Sequence, residues 1–249
     1  MRTAGDSDAR AGALPRDRPA VTGLRTRGVA LFSGLCAAAL LALAVPRFFA
    51  AVTLLPSSST MDRLQELQPV STPALERLIR NQRRALAWQP SGRTWTDLGL
   101  AQLLIAERLP GDDPQAKERF AAARQALIEG LSMAPANPFA WSRLAYSQAV
   151  LNGWTSEAAA ALRMAFITGP YEPRLLWPRL RLSLSAWPSI PLEDHELVLQ
   201  QIREAWAADP ETLTALVTQT DQIATAKLAL SGNAAELRAF EARLDEAHR

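Results

Sequence analysis

The feature that most restricts the fold of this chain is an uncharged apolar run near its amino terminus. Residues 29–45 carry no charge, and the apolar character resumes after Pro46 and Arg47. A helix rises about 1.5 Å per residue and a bilayer core is about 30 Å thick, so this run is just long enough for a span, which Arg47 can extend by reaching the headgroups. We therefore predict a transmembrane signal anchor over residues 29–50.

The charges around this run predict its orientation. Residues 1–28 contain six Arg and three Asp, whereas Arg47 and Arg63 are the cations that follow closely. The positive-inside rule then places the amino terminus in the cytoplasm and the rest of the chain across the membrane. Residues 1–28 are rich in Arg, Gly, Ala and Asp, and we expect them to form a disordered cytoplasmic tail.

Two other interpretations of the apolar run remain open. Ala42-Leu43-Ala44 offers the small residues of a signal-peptide cleavage site, although the preceding 28 residues are long for a secretory signal. The other interpretation is a buried helix of a soluble protein. A run without a polar face lacks the single apolar stripe that such a helix buries, which disfavours this reading.

The remainder of the chain has the composition of a nearly neutral helical domain. Leu and Ala dominate the 48% apolar content, and strand-like alternation is missing, which indicates an all-α protein. Residues 57–249 contain 20 Lys or Arg and 22 Asp or Glu. Binding to a phosphate backbone needs a clustered excess of cations, so we expect no nucleic-acid partner.

A change in local composition separates the apolar run from this domain. Residues 51–70 include Pro and a run of Ser and predict a linker, and residues 71–249 predict a helical repeat domain. Ser71-Thr72-Pro73 predicts a helix start, with a hydroxyl cap and Pro in the first turn. That helix should end before Pro90.

A tetratricopeptide-like pattern recurs from residue 95 onward. Each unit is a helix hairpin of about 34 residues with Trp and small residues at fixed positions and a closing Pro. The matching positions are Trp95, Leu98, Gly99, Leu127, Gly130 and Pro135 in the first unit, Trp141, Leu144, Ala165 and Pro170 in the second, and Trp177 and Pro210 in the third. Small residues let two helices approach closely, so stacked hairpins would form a solenoid that a helix pair over 211–230 and 234–248 closes.

Three segments of the repeats resemble a known family. They are APANPFAWSRLAY over 134–146, ALRMAFITGPYEP over 161–173 and QIREAW over 201–206. They are similar to membrane-anchored tetratricopeptide-like proteins found in bacterial exopolysaccharide biosynthesis clusters, and the resemblance covers residues 70–249. It implies a role in assembly or export of a surface polysaccharide, in the inner membrane with the repeat domain in the periplasm, and it carries over no catalytic residue.

Catalytic motifs are missing from the sequence. Glu193-Asp194-His195-Glu196 resembles a metal or acid–base cluster, but acidic residues are favoured in a first helical turn, and His248 is the only other histidine. Asp112-Asp113 predicts a turn. The sequence has no HExxH, Gly-rich phosphate loop or GxSxG motif. We therefore expect a non-enzymatic protein without a metal or cofactor.

The expected binding surface is the concave face of the repeats. In the tetratricopeptide register it would include Leu100, Leu103, Phe139, Tyr146 and Val150. This face is apolar and lacks the Lys and Asn residues with which some tetratricopeptide proteins hold a peptide carboxylate. A helix or an extended apolar segment therefore suits it better than a charged tail.

Two classes of function follow from these observations. The first is an anchored scaffold for a protein partner of the cell envelope, either a component of polysaccharide assembly or, as a generic adaptor, another envelope complex. The second is a carbohydrate-binding accessory protein of the same machinery, because tryptophan rings stack on sugars. Three of the seven Trp occupy repeat positions, which leaves Trp88, Trp154, Trp187 and Trp206 for such a role.

Overall fold

A computed structural model describes the backbone of residues 21–247 and the side chains of residues 29–246. Every regular element in this part of the chain is a helix, which confirms the all-α prediction there. Of the predicted tail, residues 1–20 lie outside the described part, and residues 21–28 are helical rather than disordered.

The structure contains twelve α-helices within the described residues. They are α1 (Val21–Leu54), α2 (Ser58–Gln65), α3 (Thr72–Trp88), α4 (Gly92–Ala106), α5 (Pro114–Met133), α6 (Pro138–Asn152), α7 (Ser156–Thr168), α8 (Leu176–Ala186), α9 (His195–Ala208), α10 (Pro210–Gln219), α11 (Ile223–Leu230) and α12 (Ala234–Ala247). Short 3-10 turns join α1 to α2 and lie on either side of α8.

Helix α1 contains the apolar run and leaves it uncovered. Within the described residues the chain has one helix long and apolar enough to cross a membrane. Its large side chains are exposed, for example Leu31 at 76% and Leu35 at 70%. Exposed apolar surface of this extent is unfavourable in water, so the alternative of a buried helix in a soluble core is wrong.

The chain divides into two compact units at Pro46, inside α1. One unit is Met1–Pro46 and the other is Arg47–Arg249. Proline has no backbone N–H, so it removes one hydrogen bond of the helix at this point. The second unit holds the end of α1 and every later helix.

Residues 51–70 are mostly helical, where the sequence favoured a linker. They comprise the end of α1, a 3-10 turn and α2. Ser57 is buried, and its hydroxyl accepts a hydrogen bond from Asn81 Nδ2 at 2.5 Å. Met61 and Leu64 pack against the apolar face of α3. One of the serines that suggest a flexible segment, Ser57, therefore has a partner that lies far away in the sequence.

Helix α3 begins and ends where its sequence signals place it. Leu75, Leu78 and Ile79 are buried, as the stripe predicts. Ser71 is the N-cap residue but makes no side-chain capping bond, which corrects the hydroxyl-cap expectation. Arg108, two residues after the end of α4, instead donates to the Val70 carbonyl at 2.6 Å, so tertiary contacts hold this helix start.

Consecutive helices pack on one another through most of the second unit. The most extensive contacts join α4 to α5 and α6 to α7, and smaller ones join α3 to α4 and α5 to α6. The α4–α5 contact depends on two glycines. A Cβ atom on Gly99 would lie 2.7 Å from Leu127 Cγ, and one on Gly130 would lie 2.5 Å from Thr96 Cγ2.

The carboxyl-terminal part contains one more helix break than predicted. Residues 211–230 form α10 and α11, separated at Asp221, which adopts φ 55°. The Gln222 amide donates to the Val217 carbonyl at 2.8 Å, which is the hydrogen bond of a Schellman turn. Aspartate tolerates this left-handed conformation better than most residues, so it ends α10 in place of glycine. Helix α12 follows and buries Phe240 against Trp206.

The close contact of α4 and α5 yields a stability prediction. Gly130→Ala should lower the free energy of unfolding by about 1 to 3 kcal/mol, since its Cβ would also lie 2.9 Å from the Gly92 carbonyl oxygen. For a domain of this size that is a fall in Tm of roughly 3 to 10 °C, measurable by circular dichroism in detergent. Gly232→Ala is the matched control, because no atom lies within 4 Å of its Cβ position. Equal melting temperatures for the two variants would contradict the described crossing.

Candidate interaction groove

A groove of about 820 Å³ lies on one side of the helical domain. Its lining residues belong to α4, α6, α8 and α10, that is, to every second helix, together with Glu107, which directly follows α4. Each of these helices packs against the helix that follows it in the chain, namely α5, α7, α9 or α11. As a result, α4, α6, α8 and α10 share a common surface. We call this surface the groove.

Most of the groove wall is apolar, with a few polar groups at defined places. The apolar side chains include Leu100, Leu103, Leu104, Trp177, Leu182 and Leu216. The polar ones are Glu107, Ser142, Arg143, Arg181, Thr212 and Gln219. An apolar wall with a small number of oriented polar groups is typical of a binding site rather than of a solvated helix face.

The groove contains three of the five residues expected on the concave face. Leu100, Leu103 and Tyr146 line it, whereas Phe139 and Val150 do not. Both belong to α6, but the lining of this helix is limited to residues 142–146, and each lies about one turn beyond that stretch. Phe139 is half-buried beneath the Arg143 guanidinium at 5.8 Å, and Val150 is 46% exposed.

Tyr146 connects the groove to the core of the domain. Its ring packs edge-to-face on Phe120 of α5, with 5.9 Å between the ring centroids. Its hydroxyl donates a hydrogen bond to the Glu107 carboxylate. Burial, followed by the Glu107 charge and this hydrogen bond, raises the pKa of Tyr146. Burial also raises the pKa of Glu107, and the hydrogen bond from Tyr146 offsets part of that effect.

Arg143 supplies a cation to the groove without a close counter-ion. Burial lowers its pKa, and the charge of Asp97 opposes this. Burial raises the pKa of Asp97, against the charges of Arg93 and Arg143. Within residues 29–246, Arg143 contacts the Phe139 ring but forms no ion pair shorter than 4 Å and donates no hydrogen bond. Its guanidinium donors are therefore free to bind a ligand.

The repeat positions lie mainly in the core between helices. Leu98, Gly99, Leu127, Gly130, Leu144 and Ala165 are buried. Trp95 and Trp141 are partly buried against the two core clusters, and Trp177 is partly buried and also lines the groove. The three prolines lie at helix ends.

The prolines of the repeat positions take part in hydrogen bonds at these ends. The Pro135 carbonyl accepts a bond from Trp141 Nε1 at 2.7 Å, and the Pro170 carbonyl accepts one from Arg179 at 3.3 Å. Pro210 is the first residue of α10, where the Asp209 carboxylate accepts the next two backbone N–H groups. Pro135 and Pro170 thus lie in turns that a side chain of the following helix stabilises, and Pro210 begins a helix that its own N-cap residue stabilises.

The tryptophans left over from the repeats make contacts within the protein. Trp187 contacts the His195 ring in a tilted arrangement with 4.1 Å between the ring centroids, Trp206 is buried against Phe240, and Trp154 packs on the main core. Trp88 stacks on Phe49 at 4.7 Å and stays 49% exposed. All four rings therefore have packing partners within the protein that compete with a sugar.

The acidic segment around His195 forms a helix start, as predicted. His195 is the first residue of α9, and a 3-10 turn over Leu192–Asp194 precedes it. Asp194 forms an ion pair with Arg163 at 3.1 Å. Among the side chains that the structure describes, no group of three or more His, Cys, Asp or Glu could hold a metal ion.

Sequence reasoning missed most of the groove residues of α8 and α10, and also Leu104, Glu107 and Arg143. For one of these residues, Leu182, the spacing from a repeat tryptophan is a signal in the sequence. Leu100, Tyr146 and Leu182 each lie five positions after a repeat tryptophan, namely Trp95, Trp141 and Trp177, and all three line the groove. Arg143, Arg181 and Leu216 share no such spacing, because none of them occupies a position of the tryptophan-based pattern.

The raised pKa of Glu107 predicts a pH-dependent stability. A carboxyl whose pKa is raised on folding disfavours the folded state once it ionises. Glu107→Gln removes this effect, so the Tm of the variant relative to the unchanged protein should increase as pH rises from about 3 to 7. Thermal melts across this range measure the difference. A difference that falls with increasing pH would show that ionised Glu107 stabilises the fold.

Comparison with known proteins gives no relative from which a function can be transferred. No protein-family model, no curated protein and no solved structure matches the chain.

Proposed function

We propose that this chain is a non-enzymatic, membrane-anchored scaffold that binds an apolar segment of a partner protein in the groove. The observation that carries the proposal is the groove itself, with a volume of about 820 Å³ and a mainly apolar wall from four helices. A wall of this kind buries the side chains of an amphipathic helix or an extended strand. Glu107 and Arg143 would orient that segment through its polar groups.

The spacing of the groove residues supports a tetratricopeptide-like solenoid as the architecture. The recurrence of a lining residue five positions after Trp95, Trp141 and Trp177 is what a stack of equivalent hairpins would produce. In such a stack the first helix of each hairpin lines the inner face, and the groove lies on these helices. The extended α4–α5 connection and the split of α10 from α11 depart from a regular repeat.

We place the scaffold in a bacterial inner membrane, with α1 as an uncleaved anchor and the helical domain in the periplasm. The apolar helix and the arginines before it support this arrangement. The resemblance of segments 134–146, 161–173 and 201–206 suggests surface-polysaccharide assembly or export as the setting. The partner would then be another protein of that machinery.

A second cavity favours the alternative of a carbohydrate-binding accessory protein. It measures about 360 Å³, lies between α7 and α9, and shares no lining residue with the groove. Its lining includes the ring of Tyr171, which is 87% exposed, and the carboxylates of Glu196 and Glu204. Gln201 also lines it, and its buried Nε2 atom has no partner within the described residues. An exposed ring beside several hydrogen-bonding groups suits a sugar.

Site-specific photocrosslinking in native membranes tests the scaffold. A photoreactive residue in place of Ala215, an exposed position in the groove, should give one discrete adduct with a polypeptide. The matched control is Ala207, an exposed alanine of α9 that does not line the groove, and it should give none. Adding Tyr146→Ala should abolish the adduct. Adducts of equal yield at both positions would contradict the groove, and retention of polymer instead of protein would support the alternative.

The orientation has a test of its own. Alkaline phosphatase fused to the carboxyl terminus should be active, because the enzyme requires the periplasm to form its disulfides. The control is a fusion to a reporter that is active in the cytoplasm, which should be inactive at the same position. The reverse pattern would place the helical domain in the cytoplasm.

A further inference from the structure

The outer face of α3 carries a cluster of arginines without counter-ions. Arg77, Arg80, Arg83 and Arg84 are all exposed. Within residues 29–246 none of them forms an ion pair or donates a hydrogen bond. Glu76 is the acidic residue of this helix, and its carboxylate is already bound to Arg119 at 2.5 Å. We call the four arginines the α3 basic face.

The four cations lie on one side of the helix. At 100° per residue they fall within about a third of the helix circumference, opposite the buried Leu75, Leu78 and Ile79. The domain as a whole has a slight acidic excess, so this concentration of charge is local. Four arginines at such spacing repel one another unless an anion is shared between them.

The carboxyl end of α3 is joined to the end of the apolar helix. Trp88 stacks on Phe49 with 4.7 Å between the ring centroids and 21° between the ring planes. Phe48 and Leu55, on the same stretch of α1, are 63% and 66% exposed, so apolar surface continues up to this contact. Both stacked rings are themselves about half exposed.

A stacked Trp and Phe at the end of an apolar helix is an arrangement suited to the membrane–water interface. Aromatic side chains concentrate at the headgroup level, where one end of the ring is apolar and the other is hydrated. If α1 crosses the membrane, Trp88 holds the end of α3 at this level. Arg84 lies four residues before Trp88, about 6 Å along the helix axis, within the screening length of about 8 Å at physiological salt.

We propose that the α3 basic face binds the phosphate headgroups of anionic phospholipids, with Trp88 and Phe49 as its interfacial anchor. The proposal rests on insertion of α1 in the membrane and is independent of what the groove binds. Cationic residues held at a membrane surface are attracted to anionic headgroups, and guanidinium groups pair with phosphate oxygens through two parallel hydrogen bonds. Contact with the headgroups would fix the domain against the bilayer.

The test uses the full chain with a single fluorescent label on α3. Cys36 is the only cysteine, so Cys36→Ala combined with Ala87→Cys directs a polarity-sensitive dye to an exposed position beside the arginines. The protein is reconstituted into vesicles of phosphatidylcholine alone or with about one-third phosphatidylglycerol. We expect a blue shift of the dye in the anionic vesicles, reversed by 0.5 M KCl because the contact is electrostatic.

Two sets of substitutions assign this shift to the basic face. Replacing its four arginines with Gln retains helix propensity and should abolish the dependence on phosphatidylglycerol. The matched control removes four exposed cations elsewhere, namely Lys117, Arg174, Arg238 and Arg243, and should keep the dependence. A lipid dependence that is missing from the unsubstituted chain, or that survives loss of the basic face, would overturn the proposal.

Insertion of α1 in the membrane, on which this proposal rests, is measured in the same samples. The protein should float with vesicles of phosphatidylcholine alone and resist extraction at high pH, because α1 inserts without anionic lipid. Failure to do so would refute the anchor and the lipid contact together. Photocrosslinking in the groove reports on partner binding by a separate measurement. Failure of the scaffold and failure of the lipid contact therefore remain distinguishable.

Discussion

The close crossing of α4 and α5 is the contact on which the rest of the helical domain depends. Gly99 lies against Leu127, and Gly130 lies against Thr96 and the Gly92 carbonyl, at separations that a Cβ atom would violate. Because the backbones approach this closely, α5 lies directly behind α4 and presents its far side to α6. The next hairpin repeats the arrangement with small residues, since Ala145 and Ala165 are fully buried at the corresponding helices.

The groove follows from this packing. When each helix packs behind the one before it, alternate helices share a surface, and α4, α6, α8 and α10 therefore form one wall. The core behind the wall also sets the chemistry of the groove. Tyr146 is held by Phe120 so that its hydroxyl meets Glu107, and Arg143 forms no ion pair within residues 29–246. Polar groups held in this way favour an oriented ligand over unspecific apolar contact.

The domain thus has two surfaces of different character. The groove is apolar with single charges, which suits a polypeptide segment. The outer face of α3 is cationic and adjoins the stacked pair of Trp88 and Phe49, which suits headgroups. In the proposed arrangement the lipid contact would hold the domain close to the bilayer, and the groove would collect a partner there. Confinement of the domain and its partner to one membrane surface raises their effective concentration without any additional contact.

The sequence by itself determined the helical class, the apolar helix and the limits of α3, because these depend on local periodicity, on caps and on prolines. It also determined the crossing glycines and part of the groove, since Leu100 and Tyr146 follow from the tryptophan spacing. Only the tertiary structure decided that residues 51–70 pack on α3, that Asp221 divides α10 from α11, and that Arg143 and Arg181 reach the groove. Each of these depends on a partner distant in the chain, such as Asn81 for Ser57. Local sequence patterns do not encode such contacts, because they arise only once the helices have packed.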